Sequence, residues 1–185
     1  GEAELENRET FKLTSLARYA AADQILKARL SGLDPLPVLS AQGILPHGMA
    51  GLAAFGKVDA AIASLVERIQ RYAPCAQARR HALDLACGGY RIIGGLEASG
   101  ETALIYRPGK IRDKDLIEVW IRHVLLNTRQ SISSCVLGCD FDRPEAAVQE
   151  VRFRPVDAMP ILETLLGLFT QGLQSPLAFY PASSY

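Results

Sequence analysis

Two adjacent glycines, Gly88-Gly89, separate two runs whose side chains alternate as those of strands do, residues 82–87 and 90–97. A glycine pair takes the positive φ angles of a two-residue hairpin turn at no steric cost, so the two runs are expected to fold back on each other. A second turn at Ala98-Ser99-Gly100-Glu101 leads to a third strand-like run, Thr102 to Arg107, which Pro108-Gly109 ends. Three such runs in sequence predict an antiparallel meander.

Helices are expected around it. Thr14 and Ser15 offer N-cap oxygens to a run through Leu16, Tyr19, Ala20, Ile25, Leu26 and Leu30, with Gly32 as a stop. The stretch Leu33 to Gly56 holds Pro35, Pro37, Pro46, Gly43, Gly48 and Gly51, so at least its first part is expected to be irregular. Val58, Ile62, Leu65, Val66, Ile69 and Tyr72 then form the stripe of an amphipathic helix ended by Pro74. After the meander, Asp113 is a cap for a helix to about Asn127. Its buried stripe would be Leu116, Val119, Trp120, Val124 and Leu125, and Glu118 and Arg122 would form a solvated pair. Ile117, Ile121 and Leu126 extend the apolar surface past one face, so this helix is expected to be heavily buried. Ser134 to Cys139 and Val148 to Arg154 read as strands, and Asp157 as the cap of a last helix that tolerates Pro160 in its first turn. The chain divides into residues 1–56, a helix and Pro/Gly-rich connector, and residues 57–185, an α+β core ordered α, β, β, β, α, β, β, α.

Hydrophobic residues are 49% and charged residues 22% of the chain, the composition of a globular domain. No apolar run reaches the roughly 18 to 20 residues of a membrane span, and the acidic start is no signal peptide, so a cytoplasmic location is expected. A first residue other than Met and an end at Ser183-Ser184-Tyr185 point to a piece of a longer chain. Twenty basic and twenty acidic residues cancel, yet residues 71–130 carry ten basic and six acidic. Within that segment Arg79, Arg80, Arg107, Lys110 and Arg112 fall near strand ends and turns, where side chains reach phosphates, and they are the candidate DNA contacts. Their nucleic-acid contact is expected to be weak and sequence-independent. Four cysteines, Cys75, Cys87, Cys135 and Cys139, read as reduced thiols.

A meander followed by a helix and a returning strand resembles the core order of the PD-(D/E)xK nuclease fold, a central mixed sheet flanked by helices. In that fold the second strand supplies a metal-binding carboxylate, and the third supplies another carboxylate and, two residues later, a lysine. Gly94-Gly95-Leu96-Glu97 and Leu104-Ile105-Tyr106-Arg107 stand at those places here. Glu97 keeps a carboxylate, while Ile105 and Arg107 replace the second carboxylate and the lysine. One exposed carboxylate leaves a hard cation mostly hydrated, so the nuclease-like site reads as degenerate and no residue is assigned as catalytic.

Gly43-Ile44-Leu45-Pro46-His47-Gly48 with Gly51, Leu83-Asp84-Leu85-Ala86-Cys87-Gly88-Gly89 leading into Ile93-Gly94, Tyr106-Arg107-Pro108, a helix bearing Trp120, and Ser175-Pro176-Leu177-Ala178-Phe179-Tyr180-Pro181 occur in that order. Together they resemble the C-terminal region of the RecC family, the gamma subunits of exodeoxyribonuclease V. The resemblance covers almost the whole chain. It implies a nuclease-like domain without the active site, acting in a RecBCD-type helicase-nuclease of double-strand break repair. RecB-like and RecD-like subunits would be its partners, DNA would be met through the assembled complex, and ATP and Mg²⁺ would be used elsewhere in that complex, with no cofactor in this stretch. Two other readings stay open: a divergent Mg²⁺-dependent nuclease using Glu97 with Asp84 or Glu101, and an α+β protein-interaction domain.

The remaining constellations are read as structural. Cys135 and Cys139 share a strand face with no partner set for zinc, and His47, His81 and His123 are scattered. Gly88-Gly89 and Gly94-Gly95 form neither a dinucleotide fingerprint nor a Walker A loop.

Overall fold

The structure is a computed structural model that describes residues 14–44, 48–72, 79–98, 102–141 and 148–177. It is an α+β chain in two compact units, one of residues 1–68, 107–110 and 138–149, the other of residues 69–106, 111–137 and 150–185.

The first unit is helical. Helix α1, Ser15–Leu30, starts where Thr14 Oγ1 accepts from the Ala17 N–H at 3.2 Å, and it stops where Gly32 takes φ +72°. Its inward face is made of Ala21, Ala22, Ile25, Leu26 and Ala28. Leu16 and Leu30, expected on the apolar run, are exposed, Leu16 by 79%, because they lie at the helix ends. The connector is not irregular at its start: helix α2 spans Pro35–Ala41. Pro35 occupies the first turn, where a missing N–H costs nothing, and Asp34 Oδ1 accepts from the Leu36 N–H at 3.1 Å. Helix α3, Gly48–Tyr72, begins ten residues before the first stripe residue, and Val58, Ala61, Ile62, Leu65 and Val66 are buried along it. A bidentate pair between Arg29 and Asp59, at 2.7 and 2.6 Å, ties α1 to α3.

The second unit holds the sheets. Strands β1, Arg79–Cys87, and β2, Tyr90–Ala98, form the expected hairpin, with φ +56° at Gly88 and +80° at Gly89. The register follows from that turn and sets Arg80 opposite Glu97, Ala82 opposite Gly95 and Asp84 opposite Ile93. Strand β3, Thr102–Tyr106, does not complete a meander. It lies in a second sheet ordered β3-β4-β5, with β4 at Ser133–Cys139 and β5 at Val148–Phe153. Strands β3 and β4 run parallel, joined through helix α4, Asp113–Asn127, a crossover of the length parallel pairing needs. Six of the seven residues of β4 are buried, as in a strand covered on both faces. The β2 side of the missing pairing carries Gly94 and Gly95, which offer no side chains to a cross-strand neighbour.

Helix α4 is capped differently from the sequence reading. Arg112 is the N-cap residue, and Asp115 Oδ2 accepts from its backbone N–H at 2.9 Å, while Asp113 sits in the first turn. The helix buries Val119, His123, Val124 and Leu126, but Ile117 and Ile121 are exposed, so one face remains open. Helix α5, Ala158–Gln174, follows Asp157, whose side chain makes no capping bond. Cys87, Val124, Ala158 and Leu162 form one core cluster, against which Trp120, Ile92 and Leu166 pack, and Ala98, Ala103, Leu126 and Ile132 form another with Leu96 and Ile105.

His123 is wholly buried in this unit. Its Nε2 donates to the Arg154 carbonyl at 2.9 Å, because a carbonyl can only accept, which leaves Nδ1 to accept from the Ser134 hydroxyl at 2.8 Å. Trp120 stacks on the ring at a centroid distance of 5.6 Å, and Phe153 packs against it at 5.7 Å.

Candidate functional site

The residues that would form a nuclease centre come from the ends of β2 and β3. Both strands contribute to a cleft of about 630 Å³ whose lining includes Arg80, Gly95, Glu97, Ile105, Tyr106 and Arg122. Glu97 stands exposed at the next-to-last position of β2, and Ile105 lies half-buried on β3 against the Ala98 and Leu126 cluster. The hairpin register brings Arg80 opposite Glu97, yet the two form no ion pair. The Arg80 guanidinium instead leans diagonally across Gly95, where a Cβ would overlap its Nε. Arg122 enters from α4 and is bound to Glu118 one turn earlier at 2.7 Å.

A hard divalent cation needs several oxygen ligands. Among the described residues Glu97 is the only carboxylate in the cleft lining, and Ile105 offers none. Asp84 does not join Glu97: the ladder places it four residue pairs away, roughly 13 Å at the usual strand rise. Asp84 is also held by Arg91 through two bonds of 2.8 Å, which keep its carboxyl below the ordinary range. Glu101, the other expected partner, lies outside the described residues. Among the described residues no group of three or more His, Cys, Asp and Glu side chains is arranged to hold a metal ion.

The model of the family described as the RecC C-terminal domain matches residues 1–185. The chain belongs to that family. No curated protein matches it. Membership in the RecC family ties the chain to the RecBCD complex and to DNA repair and recombination. Most of the segments that carried the resemblance lie in the described residues. Leu83 to Gly89 is the end of β1 and its turn, Tyr106-Arg107-Pro108 closes β3, and Trp120 sits on α4. Leu45-Pro46-His47 and residues 178–181 fall outside the described residues.

The five basic residues singled out in this RecC-family chain have different surroundings. Arg79 and Arg80 are exposed on β1 in the second unit. Arg107 lies in the first unit with its guanidinium 5.7 Å from the Tyr19 ring centroid. Lys110 pairs with the buried Asp140 at 3.3 Å, and Arg112 pairs with Asp115 at 3.1 Å. Three of the five charges are thus engaged within the chain. Arg122 was read from sequence as half of a solvated pair, and its place in the cleft was missed because only the β3–α4–β4 arrangement brings α4 beside β2.

The thiols are structural. Cys87, Cys135 and Cys139 are buried thiols outside any disulfide among the described residues, and burial, with Asp140 adjacent, pushes the Cys139 thiol up to about 12, so it stays protonated at neutral pH. Cys75 and His47 fall outside the described residues, and no described helix is long and apolar enough to cross a membrane.

Proposed function

We propose that this chain is a non-catalytic, structural and DNA-guiding domain of the gamma subunit of an exodeoxyribonuclease V. It supports assembly with RecB-like and RecD-like subunits in the cytoplasm, while ATP and Mg²⁺ act elsewhere in the complex. The observation that carries the reading is the β2–β3 cleft, in which one carboxylate, Glu97, faces Ile105 and two arginines. Two-metal phosphoryl transfer needs carboxylates that hold both ions, and Ile105 stands where the second carboxylate would be. What remains is a nuclease-like scaffold with the reactive centre removed.

Contact with DNA belongs to the same reading and rests on Arg79, Arg80, Arg107, Lys110 and Arg112. Arg79 and Arg80 are the exposed members on one strand; the ion pairs at Lys110 and Arg112 weaken their pull on phosphate. The contribution is therefore small, and the salt dependence of DNA binding by this part is shallow. Co-purification of the RecC-type parent with its RecB-like and RecD-like partners tests the reading. The complex should assemble, and charge reversal at the five positions should slow DNA unwinding without dispersing the subunits. Unwinding unchanged by all five reversals would remove the DNA-guiding part, and failure to assemble would remove the structural part.

A further inference from the structure

The first unit carries a surface on which arginines and aromatic rings alternate. Arg18 and Tyr19 are consecutive on α1, and each meets one of the two segments that complete the unit after the strands begin. The Arg107 guanidinium lies over the Tyr19 ring, 5.7 Å from its centroid, and the Arg18 guanidinium lies over the Phe141 ring at 5.8 Å. The Cys139 N–H donates to the Gly109 carbonyl at 2.9 Å, which holds those two segments side by side. Gly109 lets Tyr19 come close, since a Cβ there would stand 3.2 Å from a ring carbon. Tyr19 keeps 38% of its surface exposed and Phe141 is half-buried, so neither ring is consumed by the core.

Charge on this surface is of one sign. Among the described residues of 18–19, 107–110 and 138–141, Arg18, Arg107 and Lys110 are basic and Asp140 alone is acidic. Asp140 is buried and paired with Lys110 at 3.3 Å, and Asp23, one turn along α1 from Tyr19, is bound by Lys27 at 2.6 Å. We propose that this surface seats a single strand of DNA, with bases stacked on Tyr19 and Phe141 and its phosphates facing Arg18, Arg107 and Lys110. The proposal rests on the DNA-guiding reading above and deepens it by naming the form of DNA and the mode of contact. Aromatic faces are matched by base faces, which a duplex keeps inside its own stack and a single strand presents. An acidic peptide would answer the charge and leave both rings without a stacking partner. Stacking accepts any base and releases no counterion, in keeping with the weak sequence preference and the shallow salt dependence of this part.

The test uses the parent assembled with RecB-like and RecD-like subunits. A forked duplex whose single-stranded tails carry 5-bromodeoxyuridine is bound and irradiated, and the crosslinked peptides are mapped by mass spectrometry. Crosslinks are expected at Tyr19 and Phe141, at least tenfold above those formed when the label sits in the duplex part. Tyr19→Leu keeps apolar bulk and removes the π face, so it should lower the yield at Phe141 about fivefold, the scale of one lost base stack, with assembly unchanged. Phe141→Leu should do the same at Tyr19, so a folding failure of one variant leaves the other, and the parent's own crosslinks, to decide. Absence of crosslinks at both rings overturns the proposal. The DNA-guiding reading then stands if the five charge reversals still slow unwinding, and falls with it if they do not. Equal yields from tail and duplex, or a yield at Phe141 untouched by Tyr19→Leu in the assembled complex, also overturn it, leaving the rings as tethers between α1 and its neighbours. Hydroxyl-radical footprinting without DNA supplies the remaining outcome: rings shielded by assembly alone overturn the proposal in favour of a subunit interface.

Discussion

Replacing His123 by leucine tests the reasoning about the second unit most sharply. Leucine is close to histidine in bulk, so the cavity it leaves is small and the cost is polar. The Ser134 hydroxyl, itself buried, loses its acceptor, and the Arg154 carbonyl loses its donor. Each orphaned group costs about 1 to 3 kcal/mol, so the expected loss is about 2 to 6 kcal/mol. That is a large part of the roughly 5 to 15 kcal/mol by which domains are stable. Adding Ser134→Ala removes one of the two orphans and should return about 1 to 2 kcal/mol, since deleting both partners of a bond costs less than deleting one. Urea unfolding followed by Trp120 fluorescence is the assay, because the only tryptophan of the chain stacks on this ring. With a slope of about 2 kcal/mol per molar, the midpoint should fall by about 1 to 3 M. Acid acts on the same group. Burial holds the His123 ring below the ordinary imidazole range, and the bond to the Arg154 carbonyl offsets only part of that. The unfolded chain therefore takes up a proton near pH 6.5, where the folded one does not, and stability falls as the pH drops below about 6.5 until the lower folded value is passed. The His123→Leu chain should lose that part of the slope. A midpoint within about 0.2 M of the parent, or no gain on adding Ser134→Ala, would refute the hydrogen-bond assignment.

Other substitutions have outcomes set by local geometry. Trp120→Ala removes a half-buried ring packed on His123 and Phe153 and should cost about 2 to 4 kcal/mol, below the range for a fully buried tryptophan, as read from the urea midpoint. Asp59→Ala strands the Arg29 guanidinium at the α1–α3 contact and should cost about 1 to 3 kcal/mol, while Lys27→Ala, in an exposed pair with Asp23, should change the midpoint by less than about 0.5 kcal/mol. Gly89→Ala forces a side chain to φ +80° and should cost about 1 to 2 kcal/mol, measurable by thermal unfolding, with Gly56→Ala, in open space on α3, neutral or stabilising.

Signals contained in a few neighbouring residues were legible in the sequence. Thr14 capped α1, Gly32 ended it, and Gly88-Gly89 set the hairpin. The same turn fixes the register, so the place of Arg80 beside Glu97 and Gly95 follows from it. Helix α2 also had a local signal, Asp34 followed by Pro35, which the density of prolines around it concealed. The early start of α3 had none, because Gly48, Gly51 and Gly56 disfavour helix and long-range packing overrides them. His123 lies three and four residues from Trp120 and Val119, which places it on the buried stripe, although a polar ring carries no hydrophobic signal of its own. The choice of β4 over β2 as the partner of β3 depends on contacts across α4, which no short window contains.

DNA cleavage tests the proposed non-catalytic role of the β2–β3 cleft most directly. Labelled single- and double-stranded DNA is incubated with the chain and Mg²⁺ or Mn²⁺, beside a Glu97→Ala control, and the products are resolved by length. Intact DNA is expected in every lane, with no micromolar Mn²⁺ site by calorimetry. Metal-dependent cleavage that Glu97→Ala abolishes would contradict the non-catalytic role and restore the enzyme reading.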